Sequence, residues 1–283
     1  MTKQHIDLHT HSCCSDGTDT PASLVAHLHK NGITVFALAD HDTVDGCQAV
    51  ADALLPSMRF IPAVEFSCHA DGFKCHLLGI GIDPAHPSIT AAVQKGNDLR
   101  KEKADLRLHH LKTVHGIDFT EEELRYLRAQ KSIGKPHFAK LLLARGLADS
   151  IDEAIKTYFK GCPPAPYRIM VTDMAKAVTE AGGVPVWAHP LGGEGDKHLS
   201  ADVFEERLRV ILQAGIRGLE CYYSRYSRDE ITFLLNAAER HHLLVSGGSD
   251  YHGTVKTIQA GTLSTDPITV TEDDLTVLSA ISY

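Results

Sequence analysis

The chain has 283 residues, 43% of them hydrophobic and 23% charged, and a formal net charge of -8. That is the make-up of an ordinary globular protein with ample material for a core. The acidic balance and the lack of any long lysine or arginine run exclude a general duplex-DNA binder, and no window approaches the ~18 unbroken apolar residues of a membrane span.

The chain opens on a short β-like run at residues 6–8. Thr20-Pro21 then starts a helix, with threonine as N-cap and proline in the first turn, and Asn31-Gly32 stops it. Runs at 34–39 and 59–66 flank a helix expected over 44–55 with Thr43 as its cap, and a further run spans 74–82. Continuous apolar stretches such as VFALA and VPVWA suit parallel strands buried on both faces.

Residues 88–162 break this rhythm. They hold helical patterns at 97–115, 120–129, 136–145 and 150–159; Thr120 with Glu123 reads as a capping box, and Ser150 opens the last helix in a similar way. An all-helical subdomain is expected here, inserted between two strands of a main domain made of 1–87 and 163–283 and covering one end of it. Beyond it, runs at 184–188, 218–222 and 243–246 alternate with helices at 173–181 (capped by Thr172, stopped by Gly182-Gly183), 201–214 and 227–241. The alternation predicts an α/β fold on a parallel sheet, open or closed into a barrel.

The N-terminal MTKQHIDLHTHS carries no apolar leader, so a cytoplasmic protein is expected. The seven cysteines (Cys13, Cys14, Cys47, Cys68, Cys75, Cys162 and Cys221) are odd in number and include no CxxC pair. They are expected to be reduced thiols rather than a disulfide framework or a thiolate zinc site.

Eighteen histidines are the unusual number, and their positions matter more than their abundance. His9 and His11 alternate at a strand end, so both imidazoles project the same way. Asp16 follows in a Ser-Asp-Gly-Thr turn; Asp40, His41 and Asp42 follow VFALA; Glu65 ends the run at 59–66; His76 lies in the next; His189 follows VPVWA; Asp250 and His252 follow the last run. Six of the seven runs thus carry a histidine or carboxylate within or just past them, and in parallel α/β barrels that is the face where active sites are built. Imidazole and carboxylate without thiolate suits manganese, iron or zinc. Nine ligands are too many for one ion, and clustered ions sharing a bridging carboxylate would activate water and stabilise the entering and leaving oxygens of a displacement at phosphorus. Asp7, Asp40 and Asp42 are expected to orient metal-bound imidazoles. Arg168, where the insertion returns, and Arg225 and Arg228, after the run at 218–222, are candidate anion contacts, and Trp187 is expected in the core.

In order, DLHTHSCCSDGT, ALADHDT, AVEFS, HLLG, AHP and GGSDYH resemble the motifs of the PHP (polymerase and histidinol phosphatase) family of the amidohydrolase superfamily. The resemblance covers essentially the whole chain and implies a distorted seven-stranded β/α barrel. It also implies three metal sites, manganese foremost with iron or zinc as alternatives: His9, His11, Glu65 and Asp250; Glu65, His76 and His189, with Glu65 bridging; and Asp16, His41 and His252. Every position of that ligand set is filled.

Ser132–Ala139, SIGKPHFA, resembles the GRPHIA segment of the stand-alone subgroup, with Lys135 in place of the usual arginine. That subgroup includes phosphatases of nucleoside 3',5'-bisphosphates and exonucleases acting on short oligonucleotides. The implied reaction is removal of the 3'-phosphate of a nucleotide carrying two phosphates, such as adenosine 3',5'-bisphosphate, by attack of a metal-bound hydroxide, with Lys135 and His137 gripping the distal phosphate and Arg168 or Arg225 near the reacting one. Asp16, His189 and Asp250 are the candidates to protonate the leaving oxygen. Cleavage of short single-stranded, 5'-phosphorylated oligonucleotides is the alternative. A histidinol-phosphate-type phosphatase or a carboxamide hydrolase is disfavoured by the insertion, and a non-enzymatic module by the complete ligand set.

Overall fold

In the computed structural model, which describes residues 5–130, 132–165, 167–194 and 196–281, short strands buried on both faces alternate with amphipathic helices. The elements run β1 (Ile6–Thr10), α1 (Pro21–Lys30), β2 (Val35–Leu38), α2 (Cys47–Ala53), β3 (Arg59–Ala70), β4 (Phe73–Ile80), α3 (Pro87–His115), α4 (Glu121–Arg128), α5 (Lys135–Ala144), α6 (Ile151–Tyr158), α7 (Val171–Glu180), β5 (Val184–Trp187), α8 (Ala201–Gln213), β6 (Gly218–Tyr223), α9 (Arg228–Arg240) and β7 (Leu244–Gly248). Every residue of β1, β2 and β5 is buried, as continuous apolar runs require when helices cover the outer face.

The strands form one seven-stranded sheet in sequence order. Beyond β7 the chain folds back onto β1: Asp250 N donates to His9 O (2.8 Å) and His11 N to Tyr251 O (2.9 Å). The sheet is thereby nearly closed into a barrel, and the α/β class expected from the alternation is the one observed.

The expectation of a uniformly parallel sheet is corrected at β4, which runs antiparallel to both β3 and β5. Asp71-Gly72 is the cause. These two residues make a tight hairpin turn with Gly72 at φ 82°, and an Asp-Gly pair is the sequence that such a turn favours. Two caps also differ. α2 starts at Cys47 rather than 44, and α7 is preceded by Met170 rather than Thr172, neither with a side-chain cap. α3 begins ten residues before its expected start, with Pro87 in its first turn and the His86 ring accepting from Ser88 N.

Two hydrophobic cores share α3. Its first half gives Ile89, Ala92 and Leu99 to the barrel core, where Trp187 lies flat on Phe204 with ring centroids 5.6 Å apart. Its second half gives Ala104 and Leu111 to a small core completed by Phe119, Leu127, Phe138, Leu142 and Phe159. Among the described residues no helix is long and apolar enough to cross a membrane.

In the small core's shell, Thr120 and Glu123 form the expected capping box, and Arg145 Nε donates to Glu123 Oε1 at 2.7 Å. Chiefly through this pairing, Glu123 falls from 4.5 to about 2. A carboxyl lowered by folding adds stability above its unfolded value and loses it as pH falls through its folded one. Glu123→Gln should therefore cost about 1 kcal/mol at pH 7. The difference between the wild-type and variant denaturation midpoints should shrink between pH 4.5 and 2, and a gap independent of pH would reject the pairing as its origin.

Candidate metal centre

Strand ends bring the candidate ligands to one face of the barrel. β1 carries His9, and His11 and Asp16 follow it; His41 follows β2; Glu65 lies within β3; His189 follows β5; Asp250 and His252 follow β7. His76 sits in the first half of β4. Because β4 runs the other way, its beginning lies at the face where its neighbours end.

Glu65 is the hub. Its Oε2 faces His9 Nε2 (3.3 Å), His11 Nε2 (3.3 Å) and His41 Nδ1 (3.1 Å), while its Oε1 faces His76 Nδ1 (2.9 Å) and His189 Nε2 (3.1 Å). Asp250 Oδ1 lies 3.2 Å from His11 Nε2, and Asp16 Oδ1 lies 3.2 Å from His252 Nε2. Three sets of donor atoms fall within 4.8 Å of one another: His9, His11, Glu65 and Asp250; His11, Asp16, His41 and His252; and His41, Glu65 and His76. His11 and His41 thus each belong to two sets, with His41 turning Nδ1 to Glu65 and Nε2 toward Asp16.

The donors fit divalent cations. His9 Nε2, both ring nitrogens of His11, His41 Nδ1 and Glu65 Oε2 are buried with no hydrogen-bond partner. Leaving such atoms unsatisfied costs about 1–3 kcal/mol each, and here they converge on common points. Burial opposes charge on Glu65 and Asp16, but the imidazoles around them hold both carboxyls well below the usual range. Burial also pulls His11 down, yet Asp250 and Glu65 outweigh it and raise the imidazole to about 9.

The support differs from expectation. Asp7, Asp40 and Asp42 hold no ligand imidazole; they clamp backbone and loops. Asp7 accepts from Ser249 N (2.9 Å), Ser249 Oγ (2.6 Å) and Gly261 N (2.8 Å). Asp40 accepts from Ser12 N (2.8 Å) and Ser15 Oγ (2.6 Å), and Asp42 from Ser67 N (3.0 Å) and Arg100 Nε (2.5 Å). The His9 imidazole is oriented by Glu220 of β6, the one strand to which the sequence assigned no histidine or carboxylate. Glu220 Oε1 lies 2.8 Å from His9 Nδ1 and Oε2 accepts from His189 N at 2.6 Å. With Nδ1 donating, His9 Nε2 keeps its lone pair for the centre. The signal was a single carboxylate inside the apolar strand GLECYY. Two candidate ligands, His189 (φ 29°) and Asp250 (φ 60°), have left-handed backbone, a strain that clusters at functional sites.

Two cavities meet at the centre and share His41, His76, Pro136, Ile155 and Glu194. One, of about 480 Å³, reaches Arg225 and Lys256. The other, of about 440 Å³, lies in the seam between barrel and insertion and is lined by Arg100, Lys103, Arg107 and Lys135. Of the expected substrate contacts, Lys135 and Arg225 line these cavities, and Arg225 Nε is buried without a hydrogen-bond partner. His137 is turned inward, its Nδ1 accepting from Gly134 N (2.9 Å) and capping its own helix. Arg168 is exposed and lines neither cavity. Arg100, Lys103 and Arg107 were missed, although their spacing of three and four residues puts them on one face of α3. Arg107 Nη1 is buried without a partner. Burial, with Arg100 nearby, pushes Lys103 down to about 8.

No family model matches the chain. It is 30% identical over 266 residues to a protein of Haemophilus influenzae named 5'-3' exoribonuclease, covering 92% of this chain and 94% of that one. It is 29% identical over 252 residues to a 3',5'-nucleoside bisphosphate phosphatase of Chromobacterium violaceum, covering 88% and 87%. The fold superposes on a crystal structure from Bifidobacterium adolescentis, described as a metal-dependent phosphoesterase, with TM-score 0.83 and 27% identity over 99% of this chain and 97% of that one.

Glu220→Gln would set an amide NH2 against His189 N–H or disturb the His9 tautomer. Metal affinity, read by chelator competition, should fall 10- to 100-fold; unchanged affinity would show that Glu220 does not orient the centre. A Cβ on Gly248 would lie 2.2 Å from His9 Cβ and 2.4 Å from His9 N. Gly248→Ala should therefore lower stability by about 3 kcal/mol, and a melting temperature equal to wild type would contradict the packing described.

Proposed function

Since the chain belongs to the PHP family of metal-dependent phosphoesterases, we propose that it removes the 3'-phosphate of nucleoside 3',5'-bisphosphates, converting adenosine 3',5'-bisphosphate to AMP and phosphate. The observation that carries this reading is the pair of cavities, of similar volume, that meet at the candidate ligand cluster, one reaching Arg225 and Lys256 and the other lined by Arg100, Lys103, Arg107 and Lys135. A nucleotide with two phosphates can place one at the centre beside Arg225 and the other in the seam.

Three divalent ions, manganese foremost with iron or zinc as alternatives, would be held by His9, His11, Glu65 and Asp250, by Glu65, His76 and His189, and by Asp16, His41 and His252. Bound there, they supply Lewis-acid activation of water and charge neutralisation at phosphorus. The protein's own groups do the rest. Lys103, Arg107 and Lys135 attract the distal phosphate. Among the described residues no carboxylate lies within ion-pair distance of these three, so a phosphate would relieve their mutual repulsion. Asp250 has Oδ2 engaged by Tyr223 OH (2.9 Å) and Lys256 Nζ (2.6 Å). His189, which lines the first cavity, is left as the group placed to return a proton to the leaving 3'-oxygen, Asp16 being held ionised by the imidazoles around it.

A second reading, 5'–3' cleavage of short 5'-phosphorylated oligonucleotides, is favoured by a third cleft. It has about 570 Å³, passes His76 and His189, and is lined by Phe73, Lys74, Lys197 and Arg207, which gives room for a further nucleotide. The name of the Haemophilus influenzae relative points the same way.

The test is phosphate release, with manganese, from adenosine 3',5'-bisphosphate, 5'-AMP, 3'-AMP, histidinol phosphate and a 5'-phosphorylated pentanucleotide. A preference of at least about 100-fold in kcat/KM for the bisphosphate is expected, the worth of one charge-assisted contact pair. Equal or better turnover of any other substrate overturns the assignment. Lys135→Ala and Arg107→Ala should each raise KM about tenfold with kcat little changed, and an unchanged KM in both would remove the seam from substrate binding.

A further inference from the structure

We propose that Lys256 is a catalytic residue, its ammonium contacting the non-bridging oxygens of the phosphoryl group that is hydrolysed. This rests on phosphoester hydrolysis at the centre described above, and not on which ester is the substrate. Lys256 Nζ lies 2.6 Å from Asp250 Oδ2 and 3.9 Å from Glu194 Oε2, and its side chain is only 18% exposed. It lines the same cavity as Glu65, His76, His189 and Arg225. An ammonium has three donors, and the contact with Asp250 uses one.

Holding Asp250 does not account for a lysine here. That carboxylate is already fixed by Tyr223 OH on the same oxygen (2.9 Å) and by its own N–H on His9 O (2.8 Å). Taking an ammonium largely out of water costs several kcal/mol unless a well-placed anion compensates, and Asp250 shares its charge with His9, His11 and His252. Asp250 and Glu194 supply that compensation, and a phosphoryl group in the cavity would accept from the ammonium's remaining donors.

The backbone that presents Lys256 is pinned to the other side of the centre. It follows the short turn Gly253–Val255, where Thr254 N donates to Thr18 Oγ1 at 2.9 Å, and a Cβ on Gly253 would lie 2.0 Å from that oxygen. The turn is therefore seated on the loop that carries Asp16, and the lysine is placed by the same contacts that place the ligands. In the reaction a water oxygen bonds to phosphorus, the ester P–O bond breaks, and its electron pair goes to the leaving oxygen. A proton lost by the water is balanced by one gained there. Lys256 exchanges no proton; it offsets charge on the non-bridging oxygens, where a fixed cation acts most strongly in the transition state.

Inorganic phosphate, as a competitive inhibitor of the manganese-loaded protein, is the probe, read together with bound manganese by atomic emission. Lys256→Met should retain the wild-type metal content, bind phosphate at least about tenfold more weakly and lose about 100-fold in kcat on the best substrate of the panel. Lys256→Arg should return phosphate binding to within a few-fold of wild type. Should the methionine variant not fold, Lys256→Gln is read the same way. Unchanged phosphate inhibition overturns the proposal. So does a loss of phosphate binding that tracks a loss of manganese, because the lysine would then act only through Asp250. A panel that rejects the bisphosphate leaves these readouts standing and sinks the substrate assignment alone.

Discussion

Everything at the functional face depends on one buried carboxylate. Five imidazoles, from His9, His11, His41, His76 and His189, lie 2.9–3.3 Å from Glu65. They come from β1, β4 and the loops after β1, β2 and β5. No flat sheet could deliver them, since strands spaced about 4.8 Å apart would carry the outer groups well beyond reach of a central residue. The curvature of the sheet and the return of the chain after β7 onto β1 are therefore requirements of the centre as much as of the core. Gly248 and the network around Asp7 meet that requirement, the first by letting two backbones touch and the second by joining the ends of β1 and β7.

The cations around this centre divide the labour differently. Arg225 and Lys256 stand on barrel loops, and the turn before Lys256 is seated on the loop that carries Asp16. Arg100, Lys103, Arg107 and Lys135 stand on α3 and at the start of α5, and Arg100 alone is tied to the barrel, through Asp42 and Ser67. Gly96 makes this tie possible, since a Cβ there would lie 2.8 Å from Asp42 Cβ. The seam cavity is thus lined by side chains whose positions depend on how the second core sits against the first.

What could be read in the sequence was what has a local cause. The strands, the Thr120 cap and the position of each histidine relative to a strand end follow from residues a few places apart. Asp71-Gly72 was local too, and passing over it hid the reversal of β4. What stayed hidden depends on contacts made only after folding. Glu220 reads as one polar residue in an apolar strand until His9 is brought 211 positions along the chain to meet it. Asp7, Asp40 and Asp42 look like ligand-orienting groups because they adjoin histidines, whereas the fold uses them to fasten loops. His137 was expected to contact substrate, and its Nδ1 caps its own helix, a contact that only the folded start of α5 reveals.

The reversal of β4 also sets the length of α3. Running against its neighbours, β4 releases the chain at the face opposite the ligands, at Ile80, which pairs with the first residue of β5. The next helix has to climb the outside of the barrel before its side chains can matter to the chemistry. At about 1.5 Å per residue, the 29 residues of α3 are about 43 Å long. The helix acts as a ruler with a fixed phase: one residue added or lost between Pro87 and Arg100 would turn the cationic face about 100° away from the seam. Its length is therefore a coded distance, and drift in this stretch should be tolerated as substitution far more readily than as insertion or deletion.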